Sequence, residues 1–219
     1  VPGDPGRVER IAGHCEDVEQ VAQNREYTVV NATYEGRPLT ICSTGIGSPS
    51  AAIAVEELAA VGVDTFLRVG TTGALQSGIE IGDMVVATGA AKDEGTTKRY
   101  ENAAVPAVAD YEVLSALVAG AEDNDEAVHV GPVATDDAFY AETDAYVADW
   151  ETAGLLAVEM EAAGLYTFAE ERSRPVVCFA YVTNEMGQGD AEFEKGDADG
   201  SDAALEVIEA ATVAWRTQT

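Results

Sequence analysis

An arginine interrupts an apolar strand pattern in the first half of the chain. In T-F-L-R-V-G-T-T-G, residues 65–73, Arg68 lies inside the apolar run, and two threonines between glycines follow it. A guanidinium can hold an oxyanion through two parallel hydrogen bonds, and Thr71 and Thr72 add hydroxyl and backbone donors. A buried ion pair between Arg68 and a carboxylate would use the same residue types. The segment therefore predicts a phosphate clamp at a strand's end or a buried ion pair.

Two further glycine-containing loops precede predicted helices. V-P-G-D-P-G-R at residues 1–7 leads into a short helix, where Gly3 allows a backbone N–H to approach an anion and Arg7 lies near the helix start. C-S-T-G-I-G-S-P-S at residues 42–50 partly matches the dinucleotide fingerprint, although Ser50 occupies the third glycine position and Asp64 is too near to be its acidic partner. Ordinary turns are the alternative. Three such loops in a chain with few cations favour phosphate binding.

Two carboxylates are closely spaced in V-E-M-E-A-A-G-L-Y, residues 158–166. Glu159 and Glu161 face the same side if their segment is extended, and a helical pattern begins at about Ala162. Such a pair could serve acid–base chemistry, metal binding or the binding of sugar hydroxyls, or it could be a solvated pair. Because no third acid or histidine lies nearby in sequence, metal binding is disfavoured.

The chain is strongly acidic. Forty Asp and Glu residues against 12 Lys and Arg give a formal net charge of −28, and the acids are distributed along the whole sequence. Such a field repels nucleic acid and anionic membranes, whereas concentrated salt screens it. With no apolar run long enough for a membrane helix and no signal-peptide pattern, we expect a salt-adapted cytoplasmic enzyme.

The cysteines and histidines carry no recognisable metal or disulfide pattern. Cys15, Cys42 and Cys178 are odd in number and lack C-x-x-C spacing, and His14 and His129 are the only histidines. We interpret all five as structural and predict no metal site.

Strand and helix patterns alternate, which predicts an α/β fold with a parallel or mixed sheet in a single domain, residues 1–219. We place Ser48 as the cap of the second long helix, with Pro49 in its first turn. Residues 187–202 are predicted to form a mobile loop. The predicted strands cover 27–33, 39–43, 65–70, 83–90, 127–134 and 175–182, and the predicted long helices cover 49–61, 110–121, 159–172 and 201–216.

The motifs together resemble the nucleoside phosphorylase family of uridine phosphorylases and hexameric purine nucleoside phosphorylases. V-P-G-D-P-x-R-V, N-R-E-Y, C-S-T-G-I-G-x-P-S, F-L-R-V-G-T-T-G-A and V-E-M-E-A-A-G-L-Y occur in family order over nearly the whole chain. The resemblance implies a three-layer α/β/α sandwich around a mixed sheet. It also implies reversible phosphorolysis of a ribonucleoside to free base and ribose 1-phosphate, a pentosyl transfer used in nucleoside catabolism and salvage. Inorganic phosphate is then a co-substrate, and no cofactor is expected.

The resemblance also implies roles for individual residues. Arg25 is expected to reach the neighbouring subunit's site across a dimer, and dimers of this family usually assemble into hexamers. Arg68, Glu161 and Asn184 are the expected catalytic residues. The implied phosphate ligands are Gly3, Arg7, Arg25, Arg68 and Thr71; the ribose ligands are Glu159, Met160 and Glu161; the base pocket comprises Thr72, Gly73, Phe139, Thr183 and Asn184.

The base is predicted from departures from the family pattern. Uridine phosphorylases carry a Gln-x-Arg pair after the Phe-Tyr, where this chain has Thr143 and Ala145. Hexameric purine enzymes carry Ser-Asp after the late strand, where this chain has Thr183 and Asn184. An asparagine can donate to purine N7 and to a 6-oxo group. We therefore predict a 6-oxopurine nucleoside phosphorylase acting on guanosine or inosine, with a uridine phosphorylase as the alternative.

Three other classes of protein fit the motifs less well. A nucleosidase uses water and has less need of three arginines. A non-catalytic nucleoside-binding protein gains nothing from a phosphate clamp. A dinucleotide-dependent enzyme would require a closer match to the glycine fingerprint.

Overall fold

A computed structural model describes residues 1–123 and 127–186. The predicted helix at 201–216 and the predicted loop at 187–202, which contains Lys195, lie outside the described residues. Helices and strands alternate over most of the described chain. The helices are α1 (Pro5–Ala12), α2 (Ser48–Ala60), α3 (Thr97–Tyr100), α4 (Tyr111–Asp123), α5 (Asp144–Thr152) and α6 (Ala162–Arg172).

The strands form two sheets. A three-stranded antiparallel sheet has the order β1-β2-β3, and a six-stranded mixed sheet has the order β6-β5-β7-β8-β4-β9. Because β9 also pairs with β5, the larger sheet closes on itself. The strands are β1 (Glu16–Asn24), β2 (Tyr27–Tyr34), β3 (Arg37–Cys42), β4 (Phe66–Ala74), β5 (Met84–Asp93), β6 (Ala107–Val108), β7 (Val128–Asp136), β8 (Ala157–Glu159) and β9 (Val176–Glu185).

Helices cover both faces of the larger sheet. Side chains alternate along a strand, so Met84 and Val86 of β5 pack against α4, whereas Val85 and Ala87 belong to the core with α2 and α6. Helix α1 packs on the small sheet through Val8 and Ile11. The predicted three-layer α/β/α architecture with a central mixed sheet is confirmed.

Strand β4 is longer than predicted, and this changes the setting of Arg68. We predicted a strand to residue 70 and a loop over 68–73, but β4 pairs in parallel with β9 from Phe66 to Ala74. The ladder supplies partners for the backbone groups of the glycine-rich half, so that half remains extended. Arg68 therefore lies within a strand and not at its end.

Other boundaries also differ from the prediction. Helix α2 begins at Ser48, and Gly47, at φ 86°, occupies the cap position that we gave to Ser48. Helix α6 begins at Ala162 and not at residue 159. The predicted strands and helices did not include β1, α3, α5, β6 or β8. Strand β1 gave no signal because all nine of its residues are exposed and its sequence does not alternate.

The cysteines and one histidine have ordinary structural environments. Cys15, Cys42 and Cys178 are free thiols, and burial raises the pKa of each. His129 Nε2 lies 2.8 Å from a carboxylate oxygen of Asp83. No helix in the described part of the chain is long and apolar enough to cross a bilayer.

Candidate active site

The centre of the site is a buried pair formed by Arg68 of β4 and Glu161, the residue immediately before α6. Arg68 Nη2 donates a hydrogen bond to Glu161 Oε2, and the Gly47 N–H donates to Glu161 Oε1 at 2.6 Å. Arg68 is 5% exposed and Glu161 4%. Burial acts to lower the pKa of Arg68, but the charges of Glu161 and Glu159 outweigh it and raise the pKa. Arg68 therefore stays charged in a nearly dry site.

One terminal nitrogen of the Arg68 guanidinium is not used by this pair. Arg68 Nη1 is buried and has no hydrogen-bond partner within the described residues. Gly3 faces it: a Cβ built on Gly3 would lie 3.7 Å from this nitrogen. An unpaired buried donor on a charged group is costly, so this nitrogen is available for an acceptor that enters beside Gly3.

A second guanidinium approaches the same strand from α1. Arg7 Nη1 donates to the Val69 carbonyl at 3.4 Å, next in sequence to Arg68. Burial and then the charge of Arg68 lower the pKa of Arg7, which places the two cations within electrostatic range. Their mutual repulsion is relieved when an anion lies between them. The structure therefore brings together Gly3, Arg7 and Arg68, three of the predicted phosphate ligands.

Thr71 lies three residues beyond Arg68 on β4. It is exposed, and it lines a small cavity of about 10 Å³ together with Arg68, Thr72 and Glu159. That volume holds about one water molecule.

Arg25 lies elsewhere in the subunit. It occupies the exposed turn between β1 and β2 with φ 52°, and it borders a surface cavity of about 470 Å³ with Tyr27 and Ile53. The cavities that Arg25 and Arg68 border share no residue, so within one subunit the structure does not place Arg25 in the cluster.

Glu159 lies behind Glu161, and the protein itself engages both of its oxygens. The Thr135 hydroxyl donates to Oε1 at 2.5 Å, and the Glu161 N–H donates to Oε2 at 2.8 Å. Arg68 Nε is 3.9 Å from Oε2. Burial and then the neighbouring charge of Glu161 raise the pKa of Glu159 to about 7. Met160, between the two acids, is half-buried, and its carbonyl accepts from the Ser48 hydroxyl at 3.3 Å.

Gly73, Thr183 and Asn184, three of the predicted base-pocket residues, meet where β4 lies beside β9. Gly73 is paired with Asn184, and a Cβ on Gly73 would lie 3.0 Å from Asn184 Nδ2. The Thr183 hydroxyl is 3.3 Å from Asn184 Oδ1. Thr72 is turned away from them and donates to the Val158 carbonyl at 2.6 Å. Only glycine at position 73 leaves the Asn184 amide this close to β4.

Met186 was missed by the sequence analysis. Its sulfur lies 3.2 Å from Asn184 Nδ2 and would lie 2.8 Å from a Cβ on Gly73. A thioether is a weak acceptor, so the Asn184 amide retains most of its capacity to bind a ligand. No periodicity could have indicated this contact, because Met186 follows the last described strand.

Phe139 begins a short 3-10 turn, Phe139–Ala141, that follows β7. Its ring is 38% exposed and packs edge-on against Tyr140 with centroids 5.1 Å apart. The side chain thus presents an aromatic surface to solvent on the segment that leads into α5.

Glu142, just after this turn, provides a test of the electrostatics. Burial and then Asp136 raise its pKa from 4.5 to about 7. Between pH 4.5 and 7 the folded state holds a proton on Glu142 that the unfolded state has released. The free energy of unfolding therefore falls as the pH rises from 4.5 to 7. Glu142→Gln is expected to raise the Tm by about 2–4 °C at pH 8, for about 1 kcal/mol after solvent screening. Differential scanning calorimetry should show no such gain near pH 4. An equal gain at both pH values would indicate packing instead.

Metal chemistry receives no support from the described residues. Within 1–123 and 127–186, no three His, Cys, Asp or Glu side chains are grouped as metal ligands. The polar groups of the site are instead suited to an anion beside Arg7 and Arg68 and to hydroxyl donors beside Glu161.

The α/β/α fold and this arginine–carboxylate site define the class of the protein. The family model described as the phosphorylase superfamily matches residues 1–216, and the chain belongs to that family. The resemblance predicted from the motifs is thereby confirmed.

Individual relatives share this similarity over most of their length. The chain is 57% identical over 211 residues to a guanosine phosphorylase of Halorubrum lacusprofundi, covering 96% of this chain and 88% of the relative. It is 43% identical over 206 residues to a uridine phosphorylase of Thermococcus kodakarensis, covering 86% and 74%. It is 38% identical over 226 residues to a uridine phosphorylase of Escherichia coli, covering 96% and 89%.

Proposed function

We propose that this protein is a nucleoside phosphorylase that converts guanosine or inosine and inorganic phosphate to the free base and ribose 1-phosphate. The observation that carries the proposal is the position of Arg68. One of its terminal nitrogens pairs with Glu161, and the other is unpartnered within the described residues and faces Gly3. A single side chain thus joins an anion site to a carboxylate.

Phosphate would bind between Gly3, Arg7 and Arg68, with the exposed Thr71 hydroxyl as a further donor. The two arginines supply positive charge at this site, whereas the chain as a whole has a net charge of −28. Because Arg68 is buried, its interaction with a phosphate oxygen is less screened than it would be in water. The local cations can therefore outweigh the repulsion of the acidic surface.

Glu161, beside Met160, would hold the ribose by accepting hydrogen bonds from its 2′- and 3′-hydroxyls. Each carboxylate oxygen has a second lone-pair direction besides the one used by Arg68 or Gly47. In the reaction, the bond between C1′ and the base nitrogen breaks and its electron pair leaves with the base. A phosphate oxygen then forms the new bond to C1′. The transition state has oxocarbenium character, so the phosphate dianion and the Glu161 carboxylate both stabilise it.

Asn184 would bind the base through its side-chain amide, with Thr183, Gly73 and the backbone of Thr72 around it and Phe139 packing on the base. Donation to purine N7 or to a 6-oxo group stabilises the negative charge that the leaving base acquires. The relative named guanosine phosphorylase, at 57% identity, supports a 6-oxopurine substrate.

Uridine is the second candidate substrate, because relatives at 38–43% identity are named uridine phosphorylases. The two residues at the positions of the Gln-x-Arg pair of uridine phosphorylases argue against uridine as the substrate. The Thr143 hydroxyl accepts from the Tyr146 N–H at 3.4 Å and so caps α5, and Ala145 has no polar side-chain group.

Base-release assays on guanosine, inosine, adenosine and uridine, in concentrated salt and with phosphate varied, test this proposal. We expect guanosine or inosine to be cleaved fastest, and only when phosphate is present. Fast uridine turnover with inert guanosine would assign the protein to the second candidate. Base release that is independent of phosphate would indicate a nucleosidase.

Replacing Asn184 separates the base pocket from the phosphate site. Asn184→Ala is expected to lower kcat/KM for guanosine about tenfold or more, because a base carbonyl left without a donor costs about 1–3 kcal/mol. The KM for phosphate should stay unchanged. Asn31→Ala is the matched control, since the Asn31 side chain bonds only to Thr40 at the surface among the contacts observed. A defect confined to phosphate saturation would contradict this placement of the base.

The proposal extends to assembly and setting. We propose that the enzyme works in the cytoplasm of a salt-adapted cell, with phosphate as co-substrate and without a cofactor. Arg25 would complete the phosphate site of a neighbouring subunit in a dimer-based hexamer. Its exposed position in the hairpin turn supports this arrangement. Light scattering in concentrated salt measures the assembly directly.

A further inference from the structure

We infer that Thr135 of β7 is a positioning residue of the active site: together with Glu159 it satisfies the start of α6 and so releases Glu161 to face the substrate. The inference rests on the proposed function. Neither the sequence motifs nor the names of the relatives assign a role to Thr135.

Helix α6 begins with an unusual distribution of hydrogen bonds. The first N–H groups of a helix have no partners within it, and the side chain of the cap residue normally accepts from one of them. Glu161 occupies the cap position, yet its side chain makes no capping hydrogen bond. Its carboxylate is turned instead toward Arg68 and the Gly47 N–H.

Thr135 and Glu159 take over the capping. Glu159 accepts from the Glu161 N–H at 2.8 Å and from the Ala162 N–H at 2.9 Å. The Thr135 hydroxyl accepts from the Ala163 N–H at 3.0 Å and donates its own proton to Glu159 at 2.5 Å. Three successive N–H groups are therefore satisfied by residues other than the cap residue.

Burial makes this arrangement rigid. Thr135 is fully buried, and the side chain of Glu159 is only 7% exposed. Because water cannot readily replace the lost hydroxyl, its removal leaves the Ala163 N–H without an acceptor and takes one donor away from Glu159 Oε1. The Glu161 carboxylate is then the nearest substitute cap, and in that role it would turn away from Arg68 and from the ribose.

The nearby charged groups reinforce this coupling. Glu159 lies beside Glu161 and beside Arg68, whose Nε is 3.9 Å from Glu159 Oε2. Burial and then the charge of Glu161 raise the pKa of Glu159 to about 7. The charge of Arg68, and then the hydrogen bonds from the Thr135 hydroxyl and the Glu161 N–H, act in the opposite direction and favour the ionised form. Thr135 thus helps to keep Glu159 an acceptor for the helix N-terminus at neutral pH.

Comparing ribose with 2′-deoxyribose substrates distinguishes positioning from a purely structural role. A structural defect lowers the fraction of active protein and affects both substrates equally. Displacement of Glu161 affects the substrate that carries the 2′-hydroxyl more. The ratio of kcat/KM for guanosine to that for 2′-deoxyguanosine, measured on one sample at saturating phosphate, is independent of the active fraction.

The test uses Thr135→Val, which keeps the side-chain shape and removes the hydroxyl. We expect this ratio to fall about fivefold or more, whereas Thr135→Ser should keep the wild-type ratio. Thr167→Val is the matched control, since Thr167 of α6 is also fully buried and its hydroxyl donates to Glu101, the residue after α3, at 3.3 Å. Should Thr135→Val not fold, Glu159→Gln is expected to reduce the ratio in the same way, since one of its two amide positions cannot accept.

The outcomes separate this inference from the proposed function. A wild-type protein that releases no base at any phosphate concentration contradicts the proposed function. An active wild type whose ratio is unchanged in Thr135→Val, or lowered equally in the Thr167→Val control, overturns the positioning role alone.

Discussion

Arg68→Met is expected to lower kcat/KM for phosphate by about 10²-fold or more. The loss of one preorganised charged donor in a water-poor site has an effect of this size. Arg68 has the required setting: it is 5% exposed, and its Nη1 is unpartnered within the described residues. Initial-rate measurements with phosphate varied at saturating guanosine give the value.

Two further variants make this prediction decisive. Arg172→Met removes the same charge from an exposed pair with Glu56, so it changes the net charge equally, from −28 to −29, and should leave phosphate saturation unchanged. Arg68→Met leaves Glu161 buried without its partner, which can cost about 3–5 kcal/mol of stability. Arg68→Lys keeps the charge and loses the bidentate geometry. This variant should therefore fold, but it should bind phosphate more weakly than the wild type does. Unchanged phosphate saturation in both Arg68 variants would place the clamp elsewhere.

The second large effect is expected at Glu161. Glu161→Gln should lower kcat/KM for guanosine by about 10²–10³-fold, because it removes a fixed negative charge next to the developing oxocarbenium ion. A glutamine oxygen can still accept from the Gly47 N–H, but its amide group would then face Arg68 Nη2, donor against donor. The effect should appear mainly in kcat, since the charge matters most in the transition state.

Glu56→Gln is the matched control for this variant, because Glu56 forms the exposed ion pair with Arg172. Its steady-state constants should equal those of the wild type. Wild-type kcat in Glu161→Gln, together with an unaltered preference for ribose over 2′-deoxyribose, would show that the carboxylate serves only as the partner of Arg68. Ribose binding would then have to be assigned to other residues.

The setting of Arg68 is compatible with both interpretations of its sequence pattern. The apolar segment with an arginine predicted either a phosphate clamp or a buried ion pair. The structure contains the ion pair with Glu161, and the second terminal nitrogen has no partner within the described residues, which leaves room for the proposed phosphate contact. A bidentate group can serve both purposes because its donors point in different directions.

The sequence predicted most of the fold and the family. Its alternating strand and helix patterns gave the α/β class, and the order of the motifs gave the family. It failed where local signals mislead, as at residues 68–73, where glycines and threonines indicated a loop. Pairing with β9 makes that segment a strand, and a ladder from a distant part of the chain cannot be inferred from local preference.

By itself the sequence determined which chemical groups are present: three arginines in recognisable motifs, two closely spaced glutamates and an asparagine after the late strand. Only the tertiary structure decided which of them meet. Arg68 and Glu161 are 93 residues apart, Gly47 and Glu161 are 114 apart, and the Thr135 hydroxyl of β7 reaches Glu159 across 24 residues. These contacts follow from sheet order and from burial, which requires each polar group to find a partner; both are properties of the folded chain and not of any single segment.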